Sequence, residues 1–176
     1  SSLDVVNEVV RVYLEAGCDG FVALGGGSVI DTGKGAAASI SCEGEDFALL
    51  QGAEILRGDR PPFFAIPTTA GTAAEVTINY VITDEANTKK MVCVDPKDIP
   101  AVAIIDAELM AAMPRGLTAA TGMDALTHAI EGYITKGAWT LTDMFELKAV
   151  ELIARWLPAA VENGADTEAR EGMAVA

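Results

Sequence analysis

The sequence of 176 residues contains a single histidine, His128, and only three cysteines, Cys18, Cys42 and Cys93. No two cysteines form a CxxC pair, so neither a zinc knuckle nor a dense disulfide framework is predicted. An odd number of widely spaced cysteines is typical of reduced thiols in a cytosolic protein. We therefore predict three free thiols and interpret all three as packing residues.

Positive charge is also scarce. Lysine and arginine together number 12 against 26 aspartates and glutamates, which gives a formal net charge of −14. This charge would repel the phosphates of nucleic acids and anionic membrane surfaces. No apolar run approaches the roughly 18 residues that span a bilayer, and the first residues lack the order of a signal peptide. We expect a soluble, cytoplasmic protein with no nucleic-acid or membrane partner.

Hydrophobic residues make up 51% of the chain, and their periodicity predicts an α/β part followed by a helical part. The boundary falls near residues 107–114. The predicted elements, in order, are a helix at 3–16, a strand at 20–24, a helix at 28–40, a parallel strand at 63–66, a hairpin at 76–94, a strand at 102–105 and helices at 117–134, 140–157 and from 167 onward.

Both ends of the chain interrupt this pattern. A helix comes first, directly before a core strand, and a helical pattern is still running at the last residue. We expect an interior segment of a longer protein, with a parallel sheet that is truncated at its N-terminal side.

A glycine turn, Gly25-Gly-Gly-Ser28, joins the first predicted strand to a helix. Such a junction directs free backbone N–H groups and the positive end of the helix dipole toward a ligand, most often a phosphate. The alternative is a plain tight turn. The turn is not a GxGxxG fingerprint, so an ordinary Rossmann dehydrogenase is not indicated.

A second polar loop follows the next predicted parallel strand. It carries the hydroxyls of Thr68, Thr69 and Thr72. Ligands of open α/β sheets collect at the carboxyl ends of neighbouring strands, so this loop and the glycine turn together favour a binding crevice. Taken alone, the loop favours ordinary turn chemistry, because threonine and glycine are common turn residues.

The third candidate is Asp124 with His128, four residues apart on a predicted helix. This spacing places a carboxylate and an imidazole on one face, where both can bind one metal ion. An Asp–His ion pair or a capping contact is the alternative. We expect this helix to be buried, because its neighbours are apolar: Ala119, Ala120, Ala125, Leu126, Ala129 and Ile130. Two ligands are too few for tight zinc or iron binding.

With these residues assembled, the chain resembles the iron-dependent (group III) alcohol dehydrogenases, and in particular the branch that acts on propanediol and lactaldehyde. The resemblance covers nearly the whole chain. The segments that carry it are GGGSVIDTGK at 25–34, AIPTTAGTAAEV at 65–76, VDP at 94–96 and TAATGMDALTHAIEGY at 118–133.

The resemblance implies a partial NAD-binding α/β domain at 1–108 and a partial helical metal-binding domain at 109–176. It implies that Asp31 is structural. The positions that it matches to NAD contacts are Gly26, Gly27, Ser28, Thr68, Thr69, Thr72, Asn79, Lys90 and Leu109.

By the same resemblance, Asp124 and His128 are the first two of four metal ligands, and the other two histidines lie beyond residue 176. The metal would be Fe²⁺, with Zn²⁺ as the alternative. It would act as a Lewis acid while NAD(H) exchanges hydride with a small alcohol or aldehyde, such as 1,2-propanediol or lactaldehyde. No side chain is assigned as catalytic, and the full-length protein is expected to be a homodimer.

Two alternatives remain at this stage. The 176-residue chain alone could be an inactive nucleotide-binding fragment. A lyase resembling dehydroquinate synthase shares fold, NAD and metal, but it would need a basic pocket that this acidic chain does not offer. The sequence leaves open NAD against NADP and the natural aldehyde.

Overall fold

The computed structural model describes residues 1–43, 52, 53 and 56–176, and their contacts divide the chain into two units. Unit 1 comprises Ser1–Pro67 and Ala73–Ile104, and unit 2 comprises Thr68–Thr72 and Ile105–Ala176. The described part contains no helix that is both long and apolar enough to cross a membrane.

Among its described residues, unit 1 contains two α-helices, a short 3₁₀ helix (Pro96–Asp98) and two small sheets. Its elements are α1 (Leu3–Ala16), β1 (Phe21–Gly25), α2 (Gly27–Ser41), β2 (Gly52–Ala53), β3 (Phe63–Pro67), β4 (Asn79–Asp84), β5 (Lys89–Val94) and β6 (Val102–Ala103). The first sheet has the order β1-β3-β6 and is parallel throughout. The second has the order β2-β5-β4, in which β4 and β5 form an antiparallel hairpin. The predicted parallel strands and hairpin are therefore confirmed.

Three details differ from the prediction. Strand β6 is shorter than the apolar run at 102–105, because only Val102 and Ala103 pair with β3. Strand β2 was not predicted, since two residues carry no periodicity. Cys18 is exposed rather than packed, whereas Cys42 and Cys93 are buried as expected. Cys18 follows Gly17, which ends α1 in the left-handed conformation (φ 64°), so its side chain lies beyond the packed helix.

The two α-helices of unit 1 are buried to different extents, because α1 buries one apolar face whereas α2 is buried on every side from Lys34 to Ser39. In α1 this face includes Val6 and Val10, which pack in one cluster with Tyr80 and Ile82 of β4. Helix α2 packs on the parallel sheet at Gly33, where an added Cβ would lie 2.7 Å from the Phe63 ring. Glycine is required there because the helix and the strand approach so closely.

Unit 2 is helical among the described residues. A 3₁₀ helix (Ala107–Met110) precedes α3 (Arg115–Ile134), α4 (Thr140–Glu162) and α5 (Thr167–Val175). The three predicted helices are confirmed, but α4 continues through Pro158 to Glu162 rather than ending at 157. A proline removes one backbone donor, and the continuous buried face of Ile153, Leu157 and Ala160 holds the last turn in place.

Packing in unit 2 depends on small residues and on one buried arginine. Gly122 of α3 faces the Leu157 side chain of α4, so the two helices cross at close range. Arg170 of α5 is 2% exposed and donates to Thr118 Oγ1 at 2.8 Å and to the backbone oxygens of Met113 and Gly164 at 3.2 and 3.0 Å. Arg170 thus connects α5 to α3, a role that spacing alone does not reveal.

Candidate functional site

The glycine turn lies at the carboxyl end of β1, beside the end of β3. In the parallel register, Gly25 pairs with Pro67. Gly25 has a φ of 159°, and an added Cβ would lie 2.6 Å from Val29 Cγ2. Gly26 is the N-cap of α2, and its carbonyl accepts from the backbone N–H groups of Val29 and Ile30 at 3.0 and 3.2 Å. The turn is tight, and α2 begins directly after it.

The first turn of α2 has the features of an anion site. No side chain caps the helix N-terminus and no acidic residue lies in the first turn, so the N–H groups of Gly27 and Ser28 remain available to a ligand. Ser28 is exposed. The Thr32 hydroxyl donates to the Ser28 carbonyl at 2.8 Å, which supports this turn from within the helix.

Asn79 and Lys90 lie on the hairpin of unit 1. Asn79 pairs with Val94 and Lys90 with Thr83, and both candidate residues are exposed. Side chains alternate between the two faces of a strand, and this register places Asn79 and Lys90 on the same face. They are separated by four residue positions along the hairpin, or about 13 Å.

Two charged residues of α2 bind the hairpin directly. Asp31 accepts from the backbone N–H of Val81 at 3.1 Å, and burial raises the pKa of its carboxyl group. The Lys34 ammonium is fully buried and donates to the carbonyl oxygens of Thr77 at 2.6 Å and Asn79 at 3.2 Å. Burial lowers the pKa of Lys34 to about 8. Asp31 has the structural role that the resemblance implied, whereas the role of Lys34 was not foreseen.

The loop Thr68–Thr72 belongs to unit 2. Ala70 is part of the helical core, and an added Cβ at Gly71 would lie 2.7 Å from the Thr121 carbonyl oxygen of α3. Thr68 and Thr69 are half-buried and Thr72 is exposed. The loop therefore packs on α3 close to one helical turn before Asp124.

Leu109, the last of the matched cofactor positions, lies in the 3₁₀ helix of unit 2 and is 41% exposed. That helix is capped by Asp106, whose carboxylate accepts from the backbone N–H of Glu108 at 2.9 Å. The cap fixes the backbone at Leu109, and its apolar side chain remains accessible to a ligand.

Asp124 and His128 lie on one face of α3, and both are exposed. The expectation that this helix is buried all round is wrong. Its buried residues are Thr118, Gly122 and Ala129, because α3 packs along a single face and leaves Asp124 and His128 outside that face.

The donor types of this pair suit a metal ion, since a carboxylate oxygen and an imidazole nitrogen bind both iron and zinc. The pair nevertheless supplies only two ligands. Within the described ranges, no group of three or more His, Cys, Asp or Glu residues could hold a metal ion. The residues present therefore fit part of a metal site.

The parallel sheet, the glycine turn at a strand end and the helices that follow define an α/β protein with a helical C-terminal part. The sequence pattern of iron-containing alcohol dehydrogenases matches residues 1–107, and the C-terminal pattern of the Fe-containing alcohol dehydrogenase family matches residues 118–176. The chain belongs to the iron-containing alcohol dehydrogenase family.

Similar proteins agree with this assignment. The chain is 53% identical to lactaldehyde reductase of Escherichia coli K12, over 99% of the chain and 45% of that protein. The crystal structure of a 1,3-propanediol oxidoreductase matches 97% of the chain and 44% of its own length, with a TM-score of 0.92 and 45% identity. Sulfoacetaldehyde reductase from Bifidobacterium kashiwanohense, solved in complex with NAD⁺, matches 99% of the chain and 46% of its own length, with a TM-score of 0.90 and 36% identity. The chain thus spans less than half the length of these relatives.

Proposed function

We propose that this chain serves an NAD-dependent, metal-dependent oxidoreductase that transfers hydride between NAD(H) and a small alcohol or aldehyde. One observation in unit 2 carries the proposal. The loop Thr68–Thr72, hereafter the threonine loop, packs through Gly71 on α3 at Thr121, one turn before Asp124. Hydroxyls suited to a cofactor and a carboxylate suited to a metal therefore belong to one packed unit. Membership of the alcohol dehydrogenase family supports the same chemistry.

The glycine turn binds the pyrophosphate of NAD in this proposal. The N–H groups of Gly27 and Ser28 and the Ser28 hydroxyl donate to phosphate oxygens, and Gly26 permits close approach of the backbone. The hydroxyls of Thr68, Thr69 and Thr72 line the cofactor. Asn79, Lys90 and Leu109 add further contacts to NAD.

Asp124 and His128 hold the metal, which we assign as Fe²⁺ with Zn²⁺ as the alternative. When bound, the metal supplies Lewis-acid polarisation of the substrate oxygen, and the nicotinamide supplies or accepts hydride. Asp124 contributes the anionic ligand, and His128 contributes a neutral nitrogen donor. Both side chains are exposed on α3, so neither needs to leave a packed core to reach the ion.

We assign the substrate class to small alcohols such as 1,2-propanediol, with lactaldehyde as the oxidised partner. The 53% identity to lactaldehyde reductase supports this assignment, and so does the fold match to a 1,3-propanediol oxidoreductase. The homodimer and the cytoplasmic location stay predictions from the sequence.

The substitution Ser28→Asp tests the proposal that the glycine turn binds the pyrophosphate of NAD. An aspartate in the first turn favours the helix, but its charge would repel the phosphates of a nucleotide. We expect the 176-residue chain to bind NADH in a fluorescence titration, and the S28D variant to lose at least about tenfold in affinity, which is about 1.4 kcal/mol.

The matched control is Ser2→Asp, which adds the same charge at the N-cap of α1 and should leave the affinity unchanged. Inorganic pyrophosphate should compete with NADH for the wild-type chain. The cofactor assignment fails if S28D binds NADH as tightly as the wild type, or if the wild-type chain does not bind NADH.

A further inference from the structure

Strand β4 is the edge strand of its sheet within the described residues, yet its outer edge is occupied. Lys34 Nζ donates to the Asn79 carbonyl and Asp31 accepts from the Val81 N–H. The Ser1 hydroxyl donates to the Val81 carbonyl at 2.8 Å, and the Ser1 carbonyl accepts from the Thr83 N–H at 3.0 Å. These bonds involve alternate residues, as expected for backbone groups that point away from β5.

Placing Lys34 at the outer edge of β4 has a free-energy cost. Its side chain is 0% exposed, and burial of an ammonium group costs free energy unless hydrogen bonds and opposite charges compensate it. Three acceptors surround Nζ: the carbonyl oxygens of Thr77 and Asn79, and Thr77 Oγ1 at 3.2 Å. These hydrogen bonds compensate the burial of the ammonium group, and they attach α2 to the backbone at Thr77 and Asn79.

The bonded segment carries one of the candidate cofactor residues. Lys34 lies seven residues after Gly27, the first residue of α2, which places it about 10 Å along the helix axis. At that point its ammonium group holds the backbone on both sides of Ile78, including the Asn79 carbonyl. The helix that begins at the glycine turn therefore also fixes the backbone of Asn79.

We propose that Lys34 is a positioning residue of the nucleotide site: it acts through Asn79, whose backbone it ties to the helix that begins at the phosphate-binding turn. This inference rests on the proposed function, because it requires both the glycine turn and Asn79 to contact NAD. Lys34 itself is buried and does not touch the cofactor. Its effect is to keep the Asn79 amide in place before the nucleotide arrives, which lowers the ordering cost of binding.

The test is a double-mutant cycle on NADH affinity with the 176-residue chain. Lys34→Met has a similar length and no donor, and Asn79→Ala removes the amide. If Lys34 acts through Asn79, each single variant weakens binding by about tenfold, and the double variant is no weaker than N79A alone within about twofold. Lys97→Met, which removes an exposed lysine from unit 1, should leave the affinity unchanged.

Two results would overturn the proposal. One is a K34M variant, shown to be folded by circular dichroism, that binds NADH as tightly as the wild type. The other is a cycle in which the two losses multiply, because a residue that merely stabilises the fold would not depend on Asn79. If K34M does not fold, the same cycle is run with Lys34→Arg, whose larger guanidinium must displace the backbone at Thr77 and Asn79. A wild-type chain that does not bind NADH refutes the proposed function and this inference together.

Discussion

At the scale of single residues, Asp98 is a buried carboxyl group with little compensation. It is 0% exposed, and neither carboxylate oxygen accepts a hydrogen bond within the part of the chain that the structure describes. Arg60 Nη1 lies 3.9 Å from Asp98 Oδ1. Burial raises the pKa of Asp98 to about 7, against the opposing effect of Arg60 and with a contribution from the negative charge of Asp95.

This pKa predicts a pH dependence of stability. In the unfolded chain an aspartate loses its proton near pH 4, whereas folded Asp98 keeps it until about pH 7. The folded state therefore binds more protons between these values, so the contribution of Asp98 to stability is present below pH 4 and is lost as the pH rises to 7. Asp98→Asn should remove this loss and raise the free energy of unfolding at pH 8 by roughly 1–3 kcal/mol.

The measurement is urea denaturation of both proteins at pH 5 and pH 8. The D98N variant should gain more at pH 8 than at pH 5. Asp59→Asn, at an exposed position of unit 1, controls for the loss of one negative charge. Equal differences at the two pH values would show that Asp98 ionises normally in the folded chain.

At the scale of elements, the contact between the threonine loop and α3 depends on Gly71. A Cβ at this position would lie 2.7 Å from the Thr121 carbonyl oxygen. This oxygen belongs to a helix backbone, which cannot move aside as a flexible side chain can. Gly71→Ala should therefore force the loop away from α3 and lower the free energy of unfolding by about 1–3 kcal/mol.

The matched control is Gly116→Ala in α3, where an added Cβ would meet no atom within 4 Å. That change should be neutral or stabilising, since alanine favours a helix by about 1 kcal/mol over glycine. Both variants are compared by chemical denaturation. A G71A variant as stable as G116A would mean that the loop is not held against α3.

The same elements show what the sequence could predict. Helix α1, the strands β1 and β3 and the hairpin follow from local periodicity and from glycine and proline positions, and each is confirmed. The predicted burial of α3 was wrong, because composition cannot show that α3 packs only through one narrow face around Gly122.

The role of Lys34 was missed for a related reason. Its partners Thr77 and Asn79 are 43 and 45 residues away in the sequence, and no local pattern encodes a contact over that separation. A lysine within the small apolar run Gly35-Ala-Ala-Ala38 was the available signal. That signal indicates burial of the aliphatic part of the Lys34 side chain, but it does not identify the oxygen atoms that accept hydrogen bonds from Nζ. The proposed NAD-binding positions stay predictions.

At the scale of the whole molecule, the proposed functional groups are divided between the two units. The glycine turn, Asn79 and Lys90 belong to unit 1, whereas the threonine loop, Leu109 and the Asp124–His128 pair belong to unit 2. The chain covers 45% of the length of E. coli lactaldehyde reductase. Enzymatic activity and ligand binding by this chain are therefore different questions. Metal content is the measurement that distinguishes this chain most clearly from a longer protein.

Metal binding by the 176-residue chain should be weak. Asp124 and His128 provide at most two side-chain ligands, the chain contains no other histidine, and tight iron or zinc sites usually need at least three protein ligands. We expect well under one equivalent of iron or zinc by elemental analysis after dialysis. A longer protein that contains this chain and two further histidine ligands should bind close to one equivalent.

In such a longer protein, His128→Ala should abolish metal binding, and Asp124→Asn should weaken it, because the amide keeps an oxygen donor but loses the negative charge that attracts the cation. Glu162→Gln, which removes one exposed charge from α4, should leave the metal content unchanged. The contrary outcome is a 176-residue chain that retains a full equivalent through dialysis. A third ligand such as Glu131 or a cysteine would then have to complete the site, and the two-ligand account would be wrong.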